Sequence, residues 1–411
     1  MTEVGIVGGG LAGLACARAL TQAGVSCTVY EAADAVGGRV RTARQDGFQI
    51  DRGFQVLLTA YPEAQHVLDY EALDLHAFTP GALVHRGDGF ERVGDPLRRP
   101  LQAVPSLLAD VGTLADKARV LRLRQSVTSG SAHDLWARPE MTTEAALRQR
   151  YGFSEAMIDR FFRPFLGGVL LDRTLKASSR AFEVYFRRFS QGEAAVPAAG
   201  MQAIPEQLAA GLPQGTIQVG TEVEQATAAE VRVAGQAIRH RAVVVATDAR
   251  AAGRLLGLDT PPWKGTVQIA WAADEPPIDE PTLMLDGDGT GPVNNVQVMS
   301  AVAPSYAPRG RALITASLLG TPSGDDLALD AAARGQLYGW FGDQVDGWTP
   351  LRVDRVPDAL PDLPRLSPPE RPARLADGRY VTGDWRRNAS INGALVAGRH
   401  AAEAVRADLG A

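Results

Sequence analysis

The stretch Val4-Gly5-Ile6-Val7-Gly8-Gly9-Gly10-Leu11-Ala12-Gly13, continued by a helical run and by Cys27-Thr28-Val29-Tyr30-Glu31, decides the fold. It reads as strand, glycine-rich turn, helix and second strand, closing on an acidic residue. In that pattern Gly8 permits the tight turn, Gly10 lets backbone approach a pyrophosphate and Gly13 lets helix pack on strand. The helix opening at Leu11 directs free N–H groups at the anion. Glu31, with Ala32 beside it, is placed to accept hydrogen bonds from ribose hydroxyls and to disfavour a phosphorylated ribose.

The residues just beyond choose between dinucleotides. Asp34-Ala35-Val36-Gly37-Gly38-Arg39-Val40-Arg41-Thr42 adds a second glycine turn with an arginine behind it. A nicotinamide site needs no such turn. An extended FAD, its pyrophosphate held from two sides, gains from the extra N–H donors and from a guanidinium. FAD is therefore the expected cofactor.

Together with Gly47-Phe48-Gln49-Ile50-Asp51-Arg52-Gly53-Phe54, these motifs resemble the flavin amine oxidase superfamily, which includes amine oxidases, protoporphyrinogen oxidases and plant-type phytoene desaturases. The resemblance returns at Gly383-Asp384-Trp385, Ser390-Ile391-Asn392-Gly393-Ala394 and Gly398, similar to the desaturase form of the closing FAD segment. It implies an α/β fold: a Rossmann-like FAD-binding domain of the glutathione-reductase type with an inserted α+β substrate domain. It also implies that Gly383, Asp384, Ser390, Ile391, Asn392 and Ala394 contact FAD, and that Val223 touches its adenine end. A helix from about Ile391 to Ala407 would turn its positive end to the flavin and favour negative charge there.

At 411 residues one core is too few, and a divided layout is expected. The FAD-binding domain falls in three parts, 1–61, 197–260 and 362–411, separated by a helical insertion at 62–196 and a β-rich insertion at 261–361. Gly200 to Pro205 opens a short helix; Ile217–Val223, Val231–Ile238 and Ala242–Thr247 read as strands. In the second insertion Thr266–Trp271, Val293–Val302 and Ala312–Leu319 read as an antiparallel sheet.

Other features bound the function. A net charge of −5 gives no attraction to nucleic acid. Cys16 and Cys27, the only cysteines, fall on the first helix and second strand and read as core, so FAD is expected to be noncovalent. The apolar N-terminus lacks a basic leader and no run reaches membrane-spanning length, which points to the cytoplasm. The histidines show no metal-ligand spacing. Phe161, Phe162, Phe165, Phe182, Tyr185, Phe186 and Phe189 form an aromatic stripe, read first as core and second as the wall of a channel for a greasy substrate. Asp95–Gln125, basic with interspersed leucines, reads first as a solvated helical face and second as a peripheral membrane contact.

The residues that choose substrate depart from the amine oxidase pattern. The lysine of that family falls at Gln268, with Lys264 expected just before the strand. Arg386-Arg387-Asn388-Ala389 stands where the family's cage tyrosine is found, and an arginine would repel a cationic amine. The expected function is thus FAD-dependent oxidation, desaturating or isomerising a hydrophobic small molecule such as an isoprenoid, carotenoid or tetrapyrrole. A flavin amine oxidase is the alternative, and a flavoprotein without turnover a third reading. No catalytic side chain is assigned.

Overall fold

The computed structural model describes residues 2–94, 111–366 and 371–410. Its organising element is a five-stranded parallel sheet in the order Ile217–Gln218, Cys27–Tyr30, Val4–Val7, Ala242–Val245, Tyr380–Val381. Val4–Val7, Cys27–Tyr30 and Ala242–Val245 are buried throughout, as a parallel sheet covered on both faces requires. The strands come from the start, middle and end of the chain. Cys16 and Cys27 are buried and unbridged in this layer.

One face of the sheet carries the helices Leu11–Gln22 and Ile391–Leu409. They meet at Gly398, where a Cβ would lie 2.2 Å from the Ala12 carbonyl oxygen. The other face carries a three-stranded meander (Val223–Ala226, Glu230–Val233, Gln236–Arg239) and the helix Ala249–Leu256, capped by the Asp248 side chain. Two expected strands are therefore divided. Ile217–Val223 breaks after Gln218, and Val231–Ile238 is a hairpin turning at Ala234-Gly235, both with positive φ.

A seven-stranded sheet forms the second layer, in the order Thr349–Pro361, Trp263–Ala273, Ala312–Leu319, Val293–Val298, Leu283–Asp286, Gly81–Arg86, Gly89–Gly94. It is mixed rather than antiparallel, because Leu283–Asp286 pairs in parallel with Gly81–Arg86. The last two strands form a hairpin lent by the stretch expected to be mainly helical. The expected strand to Val302 ends at Val298 and continues as a helical turn, Met299–Val302. The outer face of this sheet, with Val267, Ile269, Trp271, Ile314 and Leu318, buries Leu329, Ala333 and Leu337 of the helix Asp326–Phe341.

Helices between 114 and 191 form a separate core. Phe162 and Phe182 are completely buried there and Tyr185 nearly so, which makes the aromatic stripe domain core, as first read. Of the basic stretch, residues 95–110 lie outside the described residues; the rest forms the helix Leu114–Thr128, on which Leu114 and Leu121 are exposed and Leu123 is buried. No helix of the described residues is long and apolar enough to cross a membrane.

Candidate cofactor cleft and substrate end

The turn after the first strand is shaped by glycines with different tasks. Gly8 has φ +107°, and a Cβ on it would sit 2.9 Å from the Ala246 carbonyl oxygen. At Gly13 a Cβ would fall 1.9 Å from the Gly8 carbonyl oxygen, so helix and turn touch backbone to backbone. At Gly10, by contrast, a Cβ would meet nothing within 4 Å. The space above Gly10 is open cleft, bordered by Leu11 and Ala12 of the first helical turn. That turn has no side-chain cap and no acidic residue, so its N–H groups stay available to an anion.

Glu31 follows the second strand. Its carboxylate accepts from Gly9 N at 2.6 Å and Ala33 N at 2.8 Å, which fixes it beside the turn with lone pairs to spare. The second glycine turn closes over the first: Gly37 (φ +117°) donates to the Gly9 carbonyl at 2.9 Å, and the Gly38 Cβ position is 3.5 Å from Gly10 Cα.

From that turn Arg39 reaches to the far end of the chain. Its guanidinium donates to Asp384 Oδ1 at 2.7 Å and to the Ala359 carbonyl at 3.0 Å, and lies 5.1 Å from the centre of the Trp263 ring. Gly383 adopts φ +151°, and a Cβ there would be 2.6 Å from the Trp385 ring nitrogen. Ser390 caps the closing helix by accepting from Gly393 N at 2.9 Å, leaving Ile391 and Ala394 on the cleft wall. The Tyr185 hydroxyl donates to the Ala389 carbonyl at 2.9 Å and braces this bend from the helical core.

These pieces enclose one cleft of about 460 Å³. Gly8, Gly10, Leu11 and Ala12 line it, as do Glu31, Ala32, Gly37, Gly38 and Arg39; so do Val223, Gly383, Asp384, Ser390, Ile391 and Ala394. Two expected residues do not. Gly13 acts behind the turn, and the Asn392 side chain is turned away, accepting from Glu63 N at 3.0 Å to tie the closing helix to the helix Pro62–Val67. The open space above Gly10, the uncapped helix and the fixed carboxylate suit the pyrophosphate and ribose of FAD. Residues 11–406 match the family described as flavin containing amine oxidoreductase.

The chain belongs to that family.

Among curated relatives, this family member is 27% identical over 173 residues to protoporphyrinogen oxidase 2 of Arabidopsis thaliana, covering 40% of the chain and only 32% of the plant enzyme's length. It is 26% identical over 431 residues to carotenoid phi-ring synthase of Streptomyces griseus, covering 93% of the chain and 77% of that protein. Among solved structures it is similar to an oxidoreductase from Methanosarcina mazei (TM-score 0.74, 18% identity, 98% and 99% of the two chains). It is also similar to cyclohexylamine oxidase from Brevibacterium oxydans (TM-score 0.71, 17% identity, 100% of each). These likenesses establish the fold, an FAD-binding domain joined to a substrate domain.

Beyond the closing helix the cleft of this family member continues to the seven-stranded sheet. Gly53, Phe54, Val169, Leu319 and Val356 form its walls, and Asn295 and Ser317 join them from the sheet. Sequence reasoning quoted Gly53 and Phe54 only as part of a family pattern, and missed Asn295 and Ser317. Lys264 lies inside the strand Trp263–Ala273 rather than before it, because that strand extends further than its apolar run. It still does not reach the cleft: its ammonium pairs with Asp362 at 3.1 Å and Asp172 at 3.4 Å. Gln268 is buried and donates to the Asp51 carbonyl at 2.7 Å. Arg387 is likewise outside the cleft lining and is hydrogen-bonded to His400. The repulsion of an amine expected from it therefore has no place in the cleft. Burial, reinforced by Arg399, lowers the Arg387 pKa, and burial with Arg371 and Arg387 takes Arg386 down to about 10.

Proposed function

We propose that this protein oxidises a hydrophobic small molecule of the isoprenoid, carotenoid or tetrapyrrole type, with noncovalent FAD in the cleft. Bound FAD supplies a ring that accepts a hydride or its equivalent from substrate. The chain supplies position and electrostatics. Glu31 and the first helical turn hold the adenosine and pyrophosphate portions; Arg39 and Asp384 bridge the middle. The closing helix opens onto the cleft between Ser390 and Ala394, and its positive end favours added negative charge by ~0.3 to 1 kcal/mol.

One observation carries the choice of substrate. The inner end of the cleft is walled by Gly53, Phe54, Val169, Leu319 and Val356, with Asn295 and Ser317 as uncharged polar groups, and among the described residues no two aromatic rings face each other across it. An apolar body finds mostly apolar contact there, whereas among the described residues no carboxylate stands in those walls to receive a cationic amine. The relative aligned along 93% of the chain carries a carotenoid ring in its name, which supports the same reading. An amine is the alternative, favoured by 50% identity over 48 residues to polyamine oxidase 4 of Oryza sativa, a match to 12% of the chain.

The test is anaerobic mixing of the FAD-loaded protein with polyenes, tetrapyrroles and amines in turn. Bleaching of the yellow absorbance by a polyene or tetrapyrrole is expected. Bleaching by amines alone, or by nothing in the panel, overturns the proposal.

A further inference from the structure

The inner face of the seven-stranded sheet is built against the usual pattern. Across three adjacent strands Gln268 stands opposite Ser317 and Ser317 opposite Asn295; one step along, Thr315 stands opposite Gln297. All five are polar, uncharged and buried, while the outer face of the same strands is apolar. Buried polar side chains lose hydration and persist only where hydrogen bonds replace it.

Most of that replacement is internal. Asn295 Nδ2 donates to Gln297 Oε1 at 3.0 Å and to Ser317 Oγ at 3.3 Å; its Oδ1 accepts from Asn294 Nδ2 at 2.9 Å. Gln297 Nε2 donates to Thr315 Oγ1 at 2.6 Å. The pairing register shifts between Val293 and Asn295, a bulge that brings two successive asparagine side chains together on this side. Gly168, on the facing helix, makes room for them: a Cβ there would be 3.2 Å from Asn294 Nδ2 and 3.3 Å from Asn295 Oδ1.

The network ends in the cleft. Asn295 and Ser317 both line it. Ser317 Oγ accepts from Asn295, and among the described residues nothing accepts its O–H proton. The network thus presents a positioned donor, with no charge, at the apolar inner end.

We propose that Asn295 and Ser317 recognise an uncharged acceptor oxygen, a keto or hydroxyl group, on the substrate, which is therefore an oxygenated hydrophobe rather than a bare hydrocarbon. This rests on the hydrophobic-substrate reading above and narrows it. The hydroxyl of Ser317 donates to that oxygen, and Asn295 holds Ser317 in the orientation to do so. No bond is made or broken at these residues; they set which end of the molecule enters.

The test is anaerobic flavin bleaching by detergent-dispersed polyenes: a carotenoid hydrocarbon and its monoketone. The monoketone is expected to bleach at least about tenfold faster at limiting concentration, the worth of one hydrogen bond to an otherwise unpaired buried group. Ser317→Ala should erase that preference by raising the half-saturating concentration of the monoketone alone, and Ser317→Thr should restore it. Asn295→Leu should act in the same direction; because it breaks a buried network, the bound-flavin absorbance is checked in parallel and the Ser317 pair decides. Equal rates for the two polyenes, or a preference that survives Ser317→Ala, overturn this inference and leave the hydrophobic-substrate reading standing. Bleaching by a tetrapyrrole but by neither polyene does the same. Bleaching by none of them overturns both.

Discussion

Arg39 and Asp384 lie 345 positions apart in sequence and are joined at 2.7 Å. The Asp384 side chain is only 9% exposed, so removing Arg39 leaves a buried carboxylate without its cation in the cleft wall. Arg39→Ala is expected to weaken FAD binding by ~1 to 3 kcal/mol, discounted for the partial exposure of the arginine. Titration of apoprotein with FAD reads the loss. The double variant with Asp384→Ala should lose less than the sum of the two single changes, and strict additivity would refute the coupling.

Gly10 and Gly13 separate folding from cofactor binding. Gly10 has φ −74° and open space beyond its Cα, so Gly10→Ala should fold with an unchanged apoprotein Tm while its methyl occupies the pyrophosphate space and weakens FAD binding by ~1 to 3 kcal/mol. Gly13→Ala drives a methyl into the Gly8 carbonyl and should lower the apoprotein Tm as well. The idea fails if both variants lose the same amount of stability.

Lys264 tests the amine reading. Burial alone would raise the Asp172 carboxyl, yet the Thr174 hydroxyl and the Lys264 ammonium bring it below its ordinary value, as expected of a lysine engaged structurally. Lys264→Met should cost ~1 to 3 kcal/mol in denaturant unfolding and leave the rate of flavin reduction within about twofold. A collapse of that rate at unchanged flavin content would make Lys264 part of the reaction.

Asp116 confers sensitivity to acid. The carboxylate is fully buried and accepts from Thr113 N and Oγ1 and from Ser154 N and Oγ, which joins the helix Leu114–Thr128 to the turn at Ser154. Burial pushes its pKa up, but the Ser154 and Thr113 hydrogen bonds outweigh this and hold it well below the carboxylate range. Its folded pKa lies below the unfolded value of ~3.9, so the stabilisation is complete above that pH and is lost as pH falls through the lower folded value. Asp116→Asn should cost ~1 to 3 kcal/mol near neutral pH, and the gap from the parent should shrink below about pH 4. Circular dichroism across that range measures it; a gap independent of pH counts against the ionic role.

The cofactor half was legible because its residues are constrained by backbone geometry that glycine records directly. Gly8, Gly37 and Gly383 take positive φ, Gly13 and Gly398 stand at close approaches, and the helix expected from Ile391 begins there. The strand Ala312–Leu319 was read to its ends, since a run of aliphatic and small side chains free of charge, Gly and Pro admits few alternatives. The hairpin Gly81–Gly94 was missed although Gly87-Asp88 marks a two-residue turn, because helical spacing dominated the surrounding stretch. Asn295 and Ser317 were illegible for a subtler reason. Alternation such as Thr266-Val267-Gln268-Ile269 reads as one wet face and one dry face, whereas here both faces are covered. The Asn392 side chain, expected at the cleft, turns instead to Glu63, because a side chain beside a cofactor-facing turn can equally point backwards and only the position of Glu63 decides.

The parallel sheet has its own consequence for how the protein comes into being. Val4–Val7 pairs with Ala242–Val245, which pairs with Tyr380–Val381, and the first helix packs on Ile391–Leu409 as well as on Ala203–Ala210. Local pairing cannot complete such an arrangement while the chain is still emerging from the ribosome. A product stopped before the helix Ile391–Leu409, which supplies Ile391 and Ala394 to the cleft, is thus expected to accumulate as an unloaded, chaperone-dependent species rather than as a weaker enzyme.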